Sequence, residues 1–485
     1  MLALVVLAGV ALAADPAPSE VSPPPVEPAH LDPVSGLPFS LLRARLANGF
    51  ELYVQPRPDS TSATGYLVFR AGGRYESPAE SGASHLLEHL LFTGTERWTE
   101  EQVRATIDLA GGRYNGFTGA EQVGYWAQVP AGRTPELLDW LGQVAFHPKL
   151  DPAKLDTVRN VVFEERGGRQ GWTVRTAKWL GLGRDYREEI TTALFPGSSR
   201  GQPIIGDDES LDAATIDTLR TFYGRHYHAG NASLVYVGPT DPGEVLAAVE
   251  SVFGSLPGGE RLHPPDDAGP ADHATEVRAV WRNAVLDRCT VTLAARGPGL
   301  ADADRWPGEV LLKYLEIELF ETLRMEQGLT YGVSAWNETN SDGGQIAIDS
   351  TTDCANVGVV ADTFVAAVAR VGAGTVDVSR LERAKGAVSG RWALSLENNI
   401  TRASWVADLS MVEGGLALAD AHQLVPRVGP DDLTRLASTW LPPGRRSLWV
   451  SQPIATVGEA WLAAALAVAV GGGLLALLRW RRRRA

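Results

Sequence analysis

Apolar and polar positions along the chain follow the periods of strands and helices in turn. Near the N-terminus "FELYVQPR" and "ATGYLVFRAGG" are typical of strands, and "SHLLEHLLF" then changes to helical spacing. After residue 274 a similar series begins, with the strand-like "DRCTVTLAARGPG" before the helical "RWPGEVLLKYLEIELFETLRME". This order predicts an α+β protein with layers of sheet and helix, and not a wholly parallel sheet.

A change of composition separates the two series. Residues 257–274 are rich in proline, glycine and aspartate, which is typical of an interdomain linker. The pattern therefore predicts two similar α/β sandwich domains, an N-terminal one over residues 38–256 and a C-terminal one over residues 275–452. Residues 14–37 are rich in proline and predict an extended spacer.

Both ends of the chain carry apolar segments. Residues 1–13 have the length and the small-residue end of a signal peptide, although a basic start is missing. Residues 460–478 carry no charge and are long enough for a transmembrane helix, and the arginine-rich residues 479–485 follow as a cytoplasmic tail. A buried helix would not explain those arginines. Positive charge stays in the cytoplasm, so the domains are expected outside it, in a bacterial cell envelope or periplasm. The tail is either retained as an anchor or removed as a sorting signal.

Charge and cysteine content exclude some classes of protein. The 485 residues include 44 basic and 58 acidic side chains, a net charge of -14, which argues against a nucleic-acid partner. There are two cysteines, Cys289 and Cys354, so a cysteine-rich zinc site is excluded. A disulfide between them and two buried thiols fit the sequence equally well.

The stretch "SGASHLLEHLLFTGT" holds the strongest chemical signal, with His85, Glu88 and His89 in one helical turn. Residues four apart share a helix face, so both imidazoles can reach one zinc ion. Glu88 lies beside that face, where it can take a proton from a water molecule. A partly exposed helix with two incidental histidines is the plain alternative. His226 and His228 also lie close together, on a predicted strand, but no third ligand accompanies them.

The H-x-x-E-H motif and the block "AGGRYESPAESGASHLLEHLLFTGT" resemble the pitrilysin/insulinase family of zinc peptidases. The resemblance implies one zinc ion per chain, with a third ligand from a later segment that reads "VRNVVFEER" here. The implied ligand is Glu165, while its neighbour Glu164 lies about 100° away around the helix. Many relatives carry a glutamate seven residues earlier, where this chain has Val158, which predicts weaker metal binding or another support for Glu165.

Two further blocks extend the resemblance. "GGRYNGFTGAEQVGYWAQVP" is similar to the family's edge strand beside the metal, so Asn115–Thr118 (Asn115, Gly116, Phe117 and Thr118) are expected to bind a peptide substrate. An ordinary hairpin would show the same pattern. In "LRMEQGLTYGVSA", Arg324 and Tyr331 have the spacing of a family pair that contacts the scissile carbonyl or its oxyanion.

The resemblance implies one half of a clamshell whose closed form excludes folded proteins. Arg324 and Tyr331 would then serve the metal site of another half, in a homodimer or a heterodimer with a related subunit. The expected activity is zinc-dependent endopeptidase hydrolysis of short or unfolded peptides, with Glu88 as the general base. The alternative is a non-catalytic scaffold or assembly subunit. A third possibility is a membrane-bound enzyme that processes one secreted protein, which differs from the general peptidase only in its substrate range.

Overall fold

The N-terminal sheet has seven strands. The structure, a computed structural model, describes residues 29–179, 186–267, 277–285, 287–418 and 420–482. The strand order is β1-β2-β3-β7-β4-β6-β5, and every pair is antiparallel except β3 with β7. The strands are β1 (Asp32–Pro33), β2 (Leu42–Arg45), β3 (Glu51–Pro56), β4 (Ser62–Arg70), β5 (Arg113–Thr118), β6 (Gln122–Pro130) and β7 (Ala232–Gly238).

The C-terminal sheet has five strands and repeats the topology of the first. They are β8 (Val277–Val285), β9 (Arg288–Gly297), β10 (Thr330–Asn340), β11 (Gly343–Asp353) and β12 (Arg446–Ala455). Their order is β10-β11-β9-β12-β8, with only β8 and β12 parallel. This is the order and direction of β5-β6-β4-β7-β3, so the two sheets are structural repeats, as the sequence predicts.

Helices cover one face of each sheet. Those of the N-terminal part are α1 (Ala83–Leu91), α2 (Glu100–Leu109), α3 (Thr134–Phe146), α4 (Leu155–Glu165), α5 (Trp172–Trp179), α6 (Tyr186–Leu194), α7 (Asp208–Ala213), α8 (Ile216–His226) and α9 (Pro242–Phe253). Those of the C-terminal part are α10 (Arg305–Leu319), α11 (Val357–Gly372), α12 (Val378–Ser395), α13 (Asn399–Ser410), α14 (Ala421–Leu424), α15 (Pro430–Trp440) and α16 (Val457–Arg482). A π-helical segment, Phe320–Glu326, continues α10, where the sequence predicts one uninterrupted helix.

Each part lends one helix to the sheet of the other. On the second face of the N-terminal sheet, Val406 and Ala407 of α13 pack in a buried cluster with Tyr66 and Val235. On the second face of the C-terminal sheet, α6 supplies Ile190 and Leu194 to a cluster with Val280, Ala294 and Trp449. Because both exchanged helices bury apolar side chains, the two parts are joined by hydrophobic packing and not by the linker alone.

The described part of the predicted linker follows the N-terminal sheet as irregular chain. Pro257 O accepts a hydrogen bond from Ala229 N at 2.9 Å, and Arg261 forms an ion pair with Glu51 at 3.3 Å. Residues 268–274 of the linker lie outside the described residues, as does the predicted signal peptide.

The two cysteines form a disulfide bond. Cys289 lies near the start of β9 and Cys354 directly follows β11, at a sequence separation of 65. Of the two states that the sequence leaves open, a disulfide and two buried thiols, the structure shows the disulfide.

Two apolar helices differ in their surroundings. Among the described residues, Cys354–Gly372, which contains α11, is long and apolar enough for a membrane span. It buries Val360, Phe364 and Val368 in the C-terminal core, as a core helix of a globular domain does. By contrast, α16 begins just after β12, and its described apolar side chains are exposed, Trp461 to 74% and Val468 to 76%. The transmembrane anchor over residues 460–478 stays a prediction.

Replacing both cysteines by alanine is expected to lower the free energy of unfolding by about 2–4 kcal/mol, because the bond closes a long loop in the unfolded chain. Denaturant unfolding of the purified chain, with and without a reductant, measures this. The double variant should not respond to the reductant, and equal stability of oxidised and reduced wild type would contradict the expectation.

Candidate metal centre and peptide-binding strand

Helix α1 carries the two histidines on its exposed side. Its other side is apolar, with Leu86, Leu87 and Leu90 buried against the N-terminal sheet. Because His85 and His89 are four residues apart, their rings lie one above the other, with Nε2 atoms 3.3 Å apart. Burial and the charge of His89 lower the pKa of His85 to about 4. His85 is therefore neutral at pH 7, which is the state that binds a metal.

A buried carboxylate fixes the start of this helix. Glu76 accepts hydrogen bonds from Gly82 N at 2.8 Å and from Ser84 N at 2.7 Å, two amides in the first turn of α1. Burial raises the pKa of Glu76 to about 7, although those hydrogen bonds oppose the shift. An acceptor at a helix N-terminus satisfies amides that lack a partner in the helix, so Glu76 holds the first turn in place just before His85.

Glu165 completes a triangle of ligand atoms. Its Oε2 lies 3.4 Å from His85 Nε2 and 3.3 Å from His89 Nε2, and these two nitrogens are 3.3 Å apart. A tetrahedral zinc shell with bonds of about 2.0–2.1 Å has edges of about 3.3–3.4 Å. Two imidazole nitrogens and one carboxylate oxygen are also the donor set of a catalytic zinc site with an open fourth position. The three residues therefore fit zinc in both chemistry and spacing.

Arg159 in α4 and Arg166 directly after it hold the helix that carries Glu165. Arg159 donates to Leu211 O and Ala214 O, each at 2.8 Å, and Arg166 donates to Gly206 O at 2.8 Å. Gly206 also abuts the start of α1, where a Cβ on Gly82 would lie 2.9 Å from its Cα. Segment 206–214 thus touches both ligand helices and sets their separation.

Val158, which replaces the family's second glutamate, lies in the apolar core. It is 4% exposed and belongs to the cluster beneath α1 and α4. Within the described residues, Glu165 has no hydrogen bond or ion pair beyond the two histidines. Arg159 and Arg166 support the helix and not the Glu165 side chain itself, so both alternatives that the sequence leaves open, weaker metal binding and another support for Glu165, stay predictions.

Glu88 lies on the same helix as the two histidines and is held by the edge strand. Its Oε2 accepts a hydrogen bond from Thr118 Oγ1 at 2.7 Å, and its side chain is buried. Burial raises the pKa of Glu88, while the bond from Thr118 opposes the shift. A Cβ on Gly116 would lie 2.7 Å from Glu88 Oε1 and 2.8 Å from the Phe92 ring, so only glycine allows β5 this close to α1.

The four predicted substrate residues divide between the two faces of β5. Gly116 and Thr118 face α1, while Phe117 turns to the other face and packs against Tyr66 at 5.4 Å between ring centroids. Asn115 is exposed. Among the described residues, β5 is the last strand of its sheet and pairs only with β6, so no described strand covers its outer edge.

Arg324 and Tyr331 lie side by side in the C-terminal part. The guanidinium carbon of Arg324 is 5.4 Å from the centroid of the Tyr331 ring, and Tyr331 is 83% exposed. The structure thus places the two side chains next to each other, and their role at a scissile carbonyl stays a prediction. Among the described residues, no hydrogen bond or ion pair connects the pair to the metal residues.

His226 and His228 do not form a second metal centre among the described residues. The prediction that they share a strand is wrong, because His226 ends helix α8. Its Nδ1 lies 3.1 Å from Arg70 O, and its ring stacks on Phe222 at 4.2 Å. His226 is therefore a buried side chain whose ring packs in the protein interior.

Known families match most of the two repeats. The family described as insulinase (peptidase family M16) matches residues 52–170, which include all three ligands and Glu88. The family described as the peptidase M16 inactive domain matches residues 213–388. The chain belongs to the pitrilysin/insulinase (M16) family. The domain called inactive corresponds mainly to the C-terminal repeat, which lacks such a ligand cluster in its described residues.

Curated relatives of this M16 chain carry the name uncharacterized zinc protease. One from Streptomyces coelicolor is 26% identical over 422 residues, 85% of this chain and 89% of the relative. One from Rickettsia felis is 27% identical over 319 residues, 64% of this chain and 73% of the relative. These names support zinc and proteolysis at the level of the family.

Solved structures show the same fold at low sequence identity. A protease from Helicobacter pylori is 18% identical with a TM-score of 0.73, and the match covers 88% of this chain and all of that one. The first half of the periplasmic protease PqqL from Escherichia coli has a TM-score of 0.70 at 18% identity, with 88% of this chain and 93% of that one covered. Against whole PqqL, at 18% identity and a TM-score of 0.69, the match covers 86% of this chain but only 48% of that protein. This chain thus has the length of one half of PqqL.

Several residues that shape the site escape the sequence interpretation. Glu76 and Arg166 lie within the stretches quoted for the family resemblance, and both read there as ordinary charged positions. Thr118 is predicted to contact substrate, whereas its hydroxyl binds Glu88. An i,i+3 or i,i+4 spacing reveals only contacts within a helix, so these contacts between elements give no such signal.

Replacing Glu165 by Gln is expected to reduce zinc affinity by at least tenfold, because an amide oxygen is a poorer zinc ligand than a carboxylate. Glu164→Gln is the matched control, since Glu164 is next to Glu165 on α4 but its side chain points in another direction. Zinc titration against a competing chelator measures both. Equal losses in the two variants would contradict the assignment of Glu165.

Proposed function

We propose that this protein is a zinc-dependent endopeptidase that cleaves short or unfolded peptides. The observation that supports it is the near-equilateral triangle of His85 Nε2, His89 Nε2 and Glu165 Oε2, with edges of 3.3–3.4 Å beside a buried carboxylate. One zinc ion held there would lower the pKa of a water molecule and polarise the scissile carbonyl. The family match and the relatives' names point the same way.

Glu88 is the proposed general base. It takes a proton from the attacking water and delivers it to the nitrogen of the leaving amine. Its raised pKa suits this exchange, because a base must hold the proton briefly before giving it up. Thr118 keeps one carboxylate oxygen occupied and so orients the other.

The open edge of β5 is the proposed peptide-binding site. An extended peptide can pair with the main chain there as an added strand. β5 runs past Glu88, with Gly116 and Thr118 in contact with it, so a peptide on this edge would pass close to the base. Main-chain pairing requires an unfolded segment, which explains the proposed preference for short or unfolded substrates.

The proposed active form contains two halves. This chain matches one half of PqqL in length, and its Arg324 and Tyr331 form an exposed pair of hydrogen-bond donors. We infer that a second copy or a related subunit presents this pair to the scissile carbonyl of the first. Such donors stabilise an oxygen that gains negative charge in the transition state.

The proposed location is outside the cytoplasm, with α16 as a membrane anchor. The disulfide between Cys289 and Cys354 suits an oxidising compartment. The exposed apolar side chains of α16 suit a lipid environment better than water.

Glu88→Gln is expected to lower kcat for a quenched peptide by roughly 10²–10⁴-fold, because the amide cannot accept the proton. Zinc content should stay at one ion per chain, since Glu88 is not a ligand. Metal analysis and peptide cleavage measure the two quantities. A wild-type protein that holds zinc but cleaves no peptide, alone or with a related subunit, would favour the scaffold alternative.

Mixing two inactive variants tests the action of Tyr331 across subunits. Glu88→Gln and Tyr331→Phe homodimers should each be strongly impaired. In a mixed dimer, one site combines an intact Glu88 with the partner's intact Tyr331. Random exchange should then restore roughly a quarter of the wild-type activity. No recovery, in a mixture shown by native mass measurement to contain mixed dimers, would place the pair in the same subunit as the zinc.

A further inference from the structure

The edge strand that we assign to peptide binding packs on α1 but has a strand partner along one side only among the described residues. β5 pairs with β6 on one side only, and its six residues end at Thr118, which holds Glu88. Edge strands of this kind fray, and their order then depends on how their ends are held. The turn between β5 and β6, residues 119–121, is therefore one point at which the end of β5 beside Glu88 can be fixed.

The segment before the metal helix binds this turn through its main chain. Gly73 N donates to Gly119 O at 3.2 Å, and Arg74 N donates to Ala120 O at 2.8 Å. Gly72 has a φ of +117°, and a Cβ there would lie 2.4 Å from Gly119 O. The turn and the segment leading to α1 are consequently held together at backbone distance.

The C-terminal part of the chain reaches the same turn. Ser341, in the turn between β10 and β11, donates to Glu121 from its N at 2.8 Å and from its Oγ at 3.0 Å. Its neighbour Asp342 accepts two hydrogen bonds from Arg74, at 2.8 and 3.1 Å. Arg74 also forms an ion pair with Glu121, which closes the cluster.

These four residues, Arg74, Glu121, Ser341 and Asp342, form an interdomain latch. The side chain of Arg74 is fully buried, that of Glu121 is 12% exposed and that of Asp342 is 33% exposed, so water and salt screen the ion pairs only in part. Arg200 supplies a second cation to Asp342. Buried pairs of this kind depend on every partner, because removal of one charge leaves the others uncompensated.

We propose that the latch is a positioning element for peptide binding, through which Ser341 and Asp342 hold β5 in the conformation that receives substrate. The latch acts on β5 through the turn, and on Glu88 only through Thr118 at the end of that strand. Ser341 and Asp342 are thus positioning residues and not catalytic ones. The inference rests on the proposed peptidase function.

Asp342→Asn is the main test, because it removes one charge and keeps the shape of the side chain. Asp353→Asn is the matched control. Asp353 lies at the other end of the same strand, β11, and forms an exposed ion pair with Arg288. Ser341→Ala is a milder second variant that removes only one hydrogen bond to Glu121 and keeps the test valid if Asp342→Asn folds poorly.

Two readouts are measured on the full chain. Hydrogen exchange of the β5 and β6 amides should be roughly tenfold or more faster in Asp342→Asn than in wild type, and unchanged in Asp353→Asn. For a quenched peptide long enough to cover β5, KM should rise about tenfold while kcat changes less than about threefold, since a loosened strand must be ordered during binding. A three-residue substrate should show little change, and Ser341→Ala should show smaller shifts in the same direction.

The outcomes separate this inference from the proposed function. Faster exchange together with a KM effect that grows with peptide length supports the latch. Unchanged exchange, or equal losses for long and short peptides, overturns it while leaving the peptidase proposal intact. A wild-type protein that binds zinc and cleaves nothing overturns the proposed function, and the positioning role falls with it.

Discussion

One geometric relationship holds the candidate metal centre together: the carboxylate of Glu165 meets two imidazoles at about the edge length of a zinc tetrahedron. The imidazole pair comes from a single helix turn, but Glu165 lies 76 residues beyond His89 (165 − 89). An error of 1 Å in the separation of α1 and α4 would open the triangle. Segment 206–214 prevents it, because the segment binds Arg159 and Arg166 on one helix and abuts Gly82 at the start of the other.

The two repeats show that the fold does not decide the chemistry. α1 lies between β4 and β5, and α10 lies between the corresponding strands β9 and β10. α1 presents His85 and His89 beside Glu165, whereas no such cluster occurs in the described part of the second repeat. The C-terminal repeat instead supplies packing, through α13, and contacts to the hairpin of β5 and β6. One backbone plan thus carries a candidate metal centre in one copy and structural support in the other.

The exchange of α6 and α13 explains why the two parts act together. Each helix fills the face of the other part's sheet, so separating the parts would expose two apolar surfaces. This fixed relationship brings the turn of β10 and β11 against Glu121 and Arg74. A contact between two hairpin turns would be weak if the domains moved independently. Here the packing of α6 and α13 keeps the two turns at hydrogen-bonding distance.

The sequence by itself determined the features that depend on short spacings. Periodicity predicted most strands and helices, the linker and the two repeats, and the i,i+4 histidines with Glu88 indicated a metal. Glu165 required the family resemblance, because no local pattern distinguishes it from Glu164. Only the tertiary structure decided the disulfide, the exchanged helices, the cap from Glu76 and the bond from Thr118 to Glu88. Each of these joins residues from different elements, and such contacts depend on how whole layers pack, which local periodicity does not encode.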